Sequence, residues 1–128
     1  GLGNGRTSDH LRDLFPNRNI YVFDREVASH PDCRPPADRL FLGSMADTLG
    51  TATAQLGATA ALIHADIGFG DAAATERNVA TLGPLLPGLL RQGGIIFCDQ
   101  SLDRITDFKP ITMPGDVAAD RYYGYQKI

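Results

Sequence analysis

The sequence predicts an α/β fold with a doubly wound, mostly parallel sheet, and three observations carry that prediction. Gly1-Leu2-Gly3-Asn4-Gly5 is followed by a helical stretch and then by Ile20-Tyr21-Val22-Phe23-Asp24, a short apolar strand ending in an acid. Short apolar runs then alternate with segments of helical periodicity along the chain. Ile95-Ile96-Phe97-Cys98 is almost wholly apolar, as expected of a strand covered on both faces. A β-α alternation of this kind implies right-handed crossovers between parallel strands.

The elements follow in order. Thr7 or Ser8 is expected to cap the first helix, with Leu11, Leu14 and Phe15 as its apolar stripe and Pro16-Asn17 as its end. Residues 19–23 form a buried strand. Pro31, Pro35 and Pro36 make the stretch 26–38 loop-like. Arg39-Leu40-Phe41-Leu42 is a short strand ending in Gly43-Ser44, and Met45, Leu49, Ala52 and Leu56 repeat at helical spacing. A strand from Ala60 to Ala65 ends in Asp66, and Gly68 and Gly70 turn the chain. Asp71 starts a helix through Val79 and Leu82 that Pro84 and Pro87 break or kink, and Gly93-Gly94 closes it. Residues 100–110 read as loop or short helix. Residues 111–113 and 122–128 form a closing pair of strands.

With 128 residues, 43% of them hydrophobic, the chain has the material for one globular domain and one core. A net charge of −3 with scattered cations offers no broad basic surface for duplex nucleic acid. No apolar run approaches the roughly 18 residues of a membrane span. Two cysteines make no disulfide framework, so a reduced, cytoplasmic setting is the expectation; Cys98 reads as core and Cys33 as a loop residue. Gly1 opens a ligand loop with no strand before it. The expectation is therefore a single domain over residues 1–128 that is N-terminally incomplete and lacks its first, central strand.

The opening segment has the layout of a nucleoside site. Glycines let the backbone turn tightly beneath a ligand, the helix presents unpaired N–H groups, and Asp24, roughly 20 residues after Gly5, stands where ribose hydroxyls would be. The dinucleotide fingerprint G-x-G-x-x-G is not met: the glycines alternate as G-x-G-x-G, and Arg6 stands where a third dinucleotide glycine would.

These motifs together resemble the class I S-adenosylmethionine (SAM)-dependent methyltransferases, whose fold is Rossmann-like. Residues 1–5 resemble that family's glycine motif, and Asp24 matches the acid that binds both ribose hydroxyls. Gly43-Ser44-Met45 falls where members contact adenine, and His64-Ala65-Asp66 where a strand ends nearest the methyl group. Leu89-Leu90-Arg91-Gln92-Gly93-Gly94 is similar to the family's run into its fifth strand. The resemblance implies SAM as cofactor and a binding set of Gly1, Leu2, Gly3, Asn4, Gly5, Asp24, Arg25, Gly43, Ser44, Met45, Ala65 and Asp66. It implies transfer to a small-molecule acceptor, with neither nucleic acid nor membrane as partner and a homodimer as the assembly to look for.

Methyl transfer needs mainly alignment, and a hydroxyl acceptor also benefits from a base or a metal. Asp66 and Asp99 are the candidate catalytic residues, with Gln100 beside them. This is similar to the metal-dependent O-methyltransferases, but glutamine replaces asparagine and the first ligand is ambiguous between His64 and Asp66, so no metal is expected. His64 is read as a hydrogen-bonded core histidine, with a general base as the alternative. No Asn/Asp-Pro-Pro-Tyr run follows the fourth strand, so the base-amino methyltransferase pattern is missing. Two other readings stay open: a nicotinamide-dependent oxidoreductase, favoured by Asp24 and disfavoured by Arg6, and a noncatalytic nucleoside-binding protein.

Overall fold

The computed structural model describes residues 5–128. It is a mixed α/β chain whose strands form a two-stranded and a four-stranded sheet. The chain divides into two compact units, one running through Thr48 and the other from Leu49 to Ile128.

The first unit opens with α1 (Arg6–Leu14), entered from Gly5 at φ 85°. A Cβ at Gly5 would stand 2.8 Å from the Cys33 Cβ and 3.1 Å from the Ser29 Cβ, so only glycine fits both this left-handed backbone and this close approach. Thr7 and Ser8 lie inside the helix rather than capping it, because Gly5 already occupies the cap position with no side-chain bond. The helix stops at Leu14, and both Leu14 and Phe15 are exposed instead of extending an apolar stripe.

Strands β1 (Val22–Asp24) and β2 (Leu40–Leu42) pair in parallel, Phe23 opposite Phe41 and Asp24 opposite Leu42. The two phenylalanine rings stack at 4.9 Å, a cross-strand contact that fixes the register. The ladder starts at Val22, later than residue 19, because its partner offers only three residues. The proline-rich crossover holds two single 3₁₀ turns, Pro31–Cys33 and Ala37–Arg39, as its composition requires. Helix α2 (Met45–Leu56) follows β2.

The second unit contains β3 (Ala60–Ala65), α3 (Ala72–Leu82), β4 (Leu90–Cys98), β5 (Phe108–Pro110) and β6 (Tyr123–Lys127). Its sheet order is β3-β4-β6-β5, parallel between β3 and β4 and antiparallel at the other two pairings. Parallel and antiparallel pairings are therefore equally represented in the described chain, and the sheet is mixed rather than mostly parallel. The closing strands are the ones expected, with β5 three residues earlier than the sequence suggested.

Asp71 caps α3, its carboxylate accepting from Ala74 N at 2.6 Å. A 3₁₀ stretch, Gly83–Gly88, carries both prolines. The glycine pair does not close that helix: β4 already begins at Leu90, and Gly93 lies within it at φ 73°. Lys127 replaces the expected stop, its Nζ donating to the carbonyls of Pro87 and Leu90 at 2.7 and 2.8 Å. The core gathers Leu90, Ile96, Cys98, Leu102 and Tyr125, all nearly inaccessible. Tyr125 is satisfied in this apolar setting by accepting from Leu102 N and donating to Asp103 Oδ1, each at 2.9 Å. Only the Ile96–Cys98 face of β4 is fully buried; Ile95 and Phe97, on the other face, are half-buried.

Candidate functional site

Parallel pairing brings the carboxyl ends of β1 and β2 together. Asp24 Oδ1 accepts from Arg25 N at 2.7 Å, and Gly43 N donates to the Asp24 carbonyl at 2.9 Å. Asp24, Arg25, Gly43, Ser44 and Met45 thus lie around one strand edge. Ser44 is exposed and its carbonyl accepts from both Thr48 N and Thr48 Oγ1, at 2.9 and 3.0 Å. Gly1, Leu2, Gly3 and Asn4 fall outside the described residues. Among the described residues, two hydroxyls in this unit, Ser8 Oγ and Ser29 Oγ, are buried with no hydrogen-bond partner. Ser8 lies in the turn that Gly5 opens, and Ser29 lies against Gly5 itself.

In the second unit the sheet register builds an acidic row. Ala65 is level with Cys98, and Cys98 with Tyr123. One step beyond that row stand Asp66, Asp99 and Tyr122, and one step before it His64, Phe97 and Gly124. Strand alternation puts these two rows on the same face.

Asp99 is the anchor of the row. Its Oδ1 accepts from Ile67 N and its Oδ2 from Gly68 N, both at 2.9 Å, and Gln100 Nε2 donates to Oδ2 at 3.0 Å. The carboxylate therefore ties the loop after β3 to the end of β4. A Cβ at Gly68 would meet Gln100 Nε2 at 2.5 Å and Asp99 Oδ2 at 2.6 Å, so this bond pattern requires glycine. Asn78 adds a bond from α3 to the Ile67 carbonyl at 2.8 Å, and Thr75 Oγ1 accepts from Phe69 N at 2.8 Å.

The electrostatics separate the two acids. Asp66 is raised above the usual carboxylate range by partial desolvation first, then by its hydrogen bond to Asp99 and repulsion from that charge. Asp99 is held below the usual range: desolvation is the largest influence and opposes this, but the donors at Ile67, Gln100 and Gly68 together outweigh it. The first proton to bind the pair as the pH falls therefore goes to Asp66 before Asp99. Burial pushes the Cys98 thiol up to about 12, and Tyr122 is also raised, by desolvation and then by the charges of Asp66 and Asp99.

His64 is exposed, which overturns its reading as a core histidine. Its strand has an open face, and on that face its ring stacks on Tyr122 with centroids 5.9 Å apart and Tyr122 Oη 3.4 Å from His64 Nε2. Tyr122 was not legible as a site residue, since nothing in its local sequence marks it and only the β4–β6 pairing brings it to Asp99. Among the described residues, no group of three or more His, Cys, Asp or Glu side chains is placed to hold a metal ion. Among the same residues, no helix is long and apolar enough to cross a membrane.

An acid at the carboxyl end of a parallel strand pair has the geometry of the class of α/β nucleoside-binding proteins. The comparisons narrow this class. The S-adenosyl-L-methionine methyltransferase family model matches residues 1–127, and the chain belongs to that family. It is similar to a crystal structure of an S-adenosyl-L-methionine methyl transferase from Silicibacter pomeroyi DSS-3, at 38% identity and a TM-score of 0.92, over 99% of this chain and 78% of that one. No curated protein sequence matches the chain. The protein is a methyltransferase, its cofactor is SAM, and the nicotinamide and noncatalytic readings fall.

Proposed function

We propose that this methyltransferase acts on a small-molecule acceptor and that the β1–β2 edge holds the nucleoside of SAM. The observation that carries the reading is the junction of Asp24 and Gly43 at one parallel strand edge. A carboxylate has two oxygens, and each can accept from one ribose hydroxyl. Among the described residues the buried Ser8 and Ser29 hydroxyls have no partner, which supports a polar ligand near Gly5. Gly43, Ser44 and Met45 are assigned to the adenine side, and Ala65 and Asp66 to the sulfur side. When bound, SAM supplies a methyl group already activated on a sulfonium.

The residues of the row then act by orientation and charge. Asp99 holds the loop that carries Asp66, and Asp66 orients ligand or acceptor. Asp99 has both oxygens committed to backbone donors, which favours a metal-independent reaction. A groove of about 660 Å³ bordered by Phe69, Thr75, Glu76, Gln100 and Arg104 supports a small-molecule acceptor, since such sites span roughly 300–1,000 Å³. The doubly wound, Rossmann-like arrangement is proposed on the strength of the neighbour's TM-score. The test is turnover of SAM to its demethylated product across a panel of small acceptors. Product formed only with nucleic acid or protein acceptors would refute the proposal.

A further inference from the structure

The groove of about 660 Å³ lies wholly within the second unit, between α3 and the loop that follows β4. Thr75, Glu76, Val79 and Ala80 line it from the helix, at the three- and four-residue spacings that share one helical face. Leu102, Arg104 and Ile105 line it from the loop. Both walls are fixed. Tyr125 pins the loop, accepting from Leu102 N and donating to Asp103 Oδ1, each at 2.9 Å. Asn78 Nδ2 ties the helix to the Ile67 carbonyl at 2.8 Å. Walls held in this way leave little to order when a ligand enters.

The neutral polar groups of the lining are turned to the protein itself. Thr75 Oγ1 accepts from Phe69 N at 2.8 Å and lies 2.9 Å from the Asp71 carbonyl. Ser101 Oγ donates to Asp103 Oδ2 at 2.8 Å, and Gln100 Nε2 donates to Asp99. Glu76 and Arg104 differ. Both are exposed, and among the described residues neither has an ion-pair partner. A carboxylate on one wall thus stands with a guanidinium on the other, and the apolar side chains of Val79, Leu102 and Ile105 share the lining. A simple anion would meet Glu76 and a simple cation Arg104, whereas a zwitterion is complementary to both.

We infer that this groove binds a free amino acid with an apolar side chain. Its carboxylate sits on Arg104, whose planar N–H pair matches two carboxylate oxygens. Its ammonium sits on Glu76, and its side chain lies against Val79, Leu102 and Ile105. The volume suits a ligand of this size, since such sites span roughly 300–1,000 Å³. Binding draws only on second-unit residues, and turnover is not needed to detect it.

The test is calorimetric titration of leucine and phenylalanine into the full-length chain, alone and saturated with SAM, beside their N-acetyl and methyl-ester derivatives. The wild type should bind both amino acids, and each derivative about tenfold or more weakly, because each blocks one charged contact. Arg104→Gln should weaken the amino acids by about tenfold or more without weakening the methyl esters. Glu76→Gln should weaken the amino acids by a similar factor without weakening the N-acetyl forms. Both side chains are exposed, so the variants should keep the wild-type circular dichroism. No binding of either amino acid, or a loss in the variants that ignores which end of the ligand is blocked, would overturn the site while methyl transfer stands. Displacement of the amino acids by SAM would put SAM's own amino acid end in the groove and overturn a separate ligand. The expected pattern without methylation of the amino acid would uphold the site and remove the groove from the acceptor reading.

Discussion

Replacing Asp99 with alanine tests whether that carboxylate is the anchor the structure describes. The substitution removes the acceptor for Ile67 N and Gly68 N, each bonded at 2.9 Å. Hydrogen bonds to a charged group contribute about 1.5–3 kcal/mol each, so the two together bound the loss at about 6 kcal/mol. Ile67 is buried and its N–H would be stranded, whereas Gly68 is half-buried and water replaces part of its bond. The expected net loss is therefore about 2–4 kcal/mol. With a urea slope of about 1–3 kcal/mol per molar, the midpoint should fall by roughly 1–2 M. Asp99→Asn should lose about half as much, because the amide keeps one acceptor and turns an N–H₂ towards the other donor. The assay is urea unfolding of the full-length chain, followed by far-UV circular dichroism at neutral pH. An Asp99→Ala midpoint within about 0.3 M of wild type would mean the loop is held by other contacts, and the anchoring argument would fail.

Further outcomes follow from the same site. Asp66 is raised when folded, so its contribution to stability is fully present below about pH 4 and is lost as the pH rises through its folded value. Asp66→Asn should therefore raise the urea midpoint at pH 7, with the gain fading as the pH falls towards about 4; a gain that grows with acid would contradict the upward shift of Asp66. Asp99 has the opposite sign, its stabilisation present above its unfolded value and lost as the pH falls through the folded one. Magnesium should change neither SAM affinity nor turnover by more than about threefold, far below the several kcal/mol of Lewis-acid catalysis, and activity abolished by chelator and restored by metal would reverse that assignment. Iodoacetamide at pH 8 should label Cys33 and spare Cys98, whose buried thiol is pushed up to about 12; mass spectrometry finding both labelled at similar rates would refute this.

Much of this architecture was legible because local chemistry dictates it. Asp71 caps its helix, Pro84 and Pro87 force a 3₁₀ stretch, and Asp24 ends its strand where the ladder with β2 also ends. What local sequence did not reveal depends on neighbours distant in the chain. The twin glycines at 93 and 94 read as a helix stop, yet the chain is already in a strand there, with its entry held by Lys127 from the far end of the chain. His64 sits in an apolar run and reads as core, but β3 leaves that face open. Asp99 was legible as an acid at a strand end, while its role as acceptor for a loop 31 and 32 residues earlier depends on the parallel pairing of β3 with β4. Tyr122 enters only through the antiparallel register of β6, which no local motif encodes.

The measurement that bears most directly on the account is a calorimetric titration of SAM and its demethylated product into the full-length wild type and Asp24→Ala. Both ligands should bind the wild type. The substitution should weaken both by about 1.5–3 kcal/mol, or roughly 10- to 150-fold in Kd, because two ribose hydroxyls lose a charged acceptor. Equal affinities for the two proteins would remove Asp24 and the β1–β2 edge from the nucleoside site.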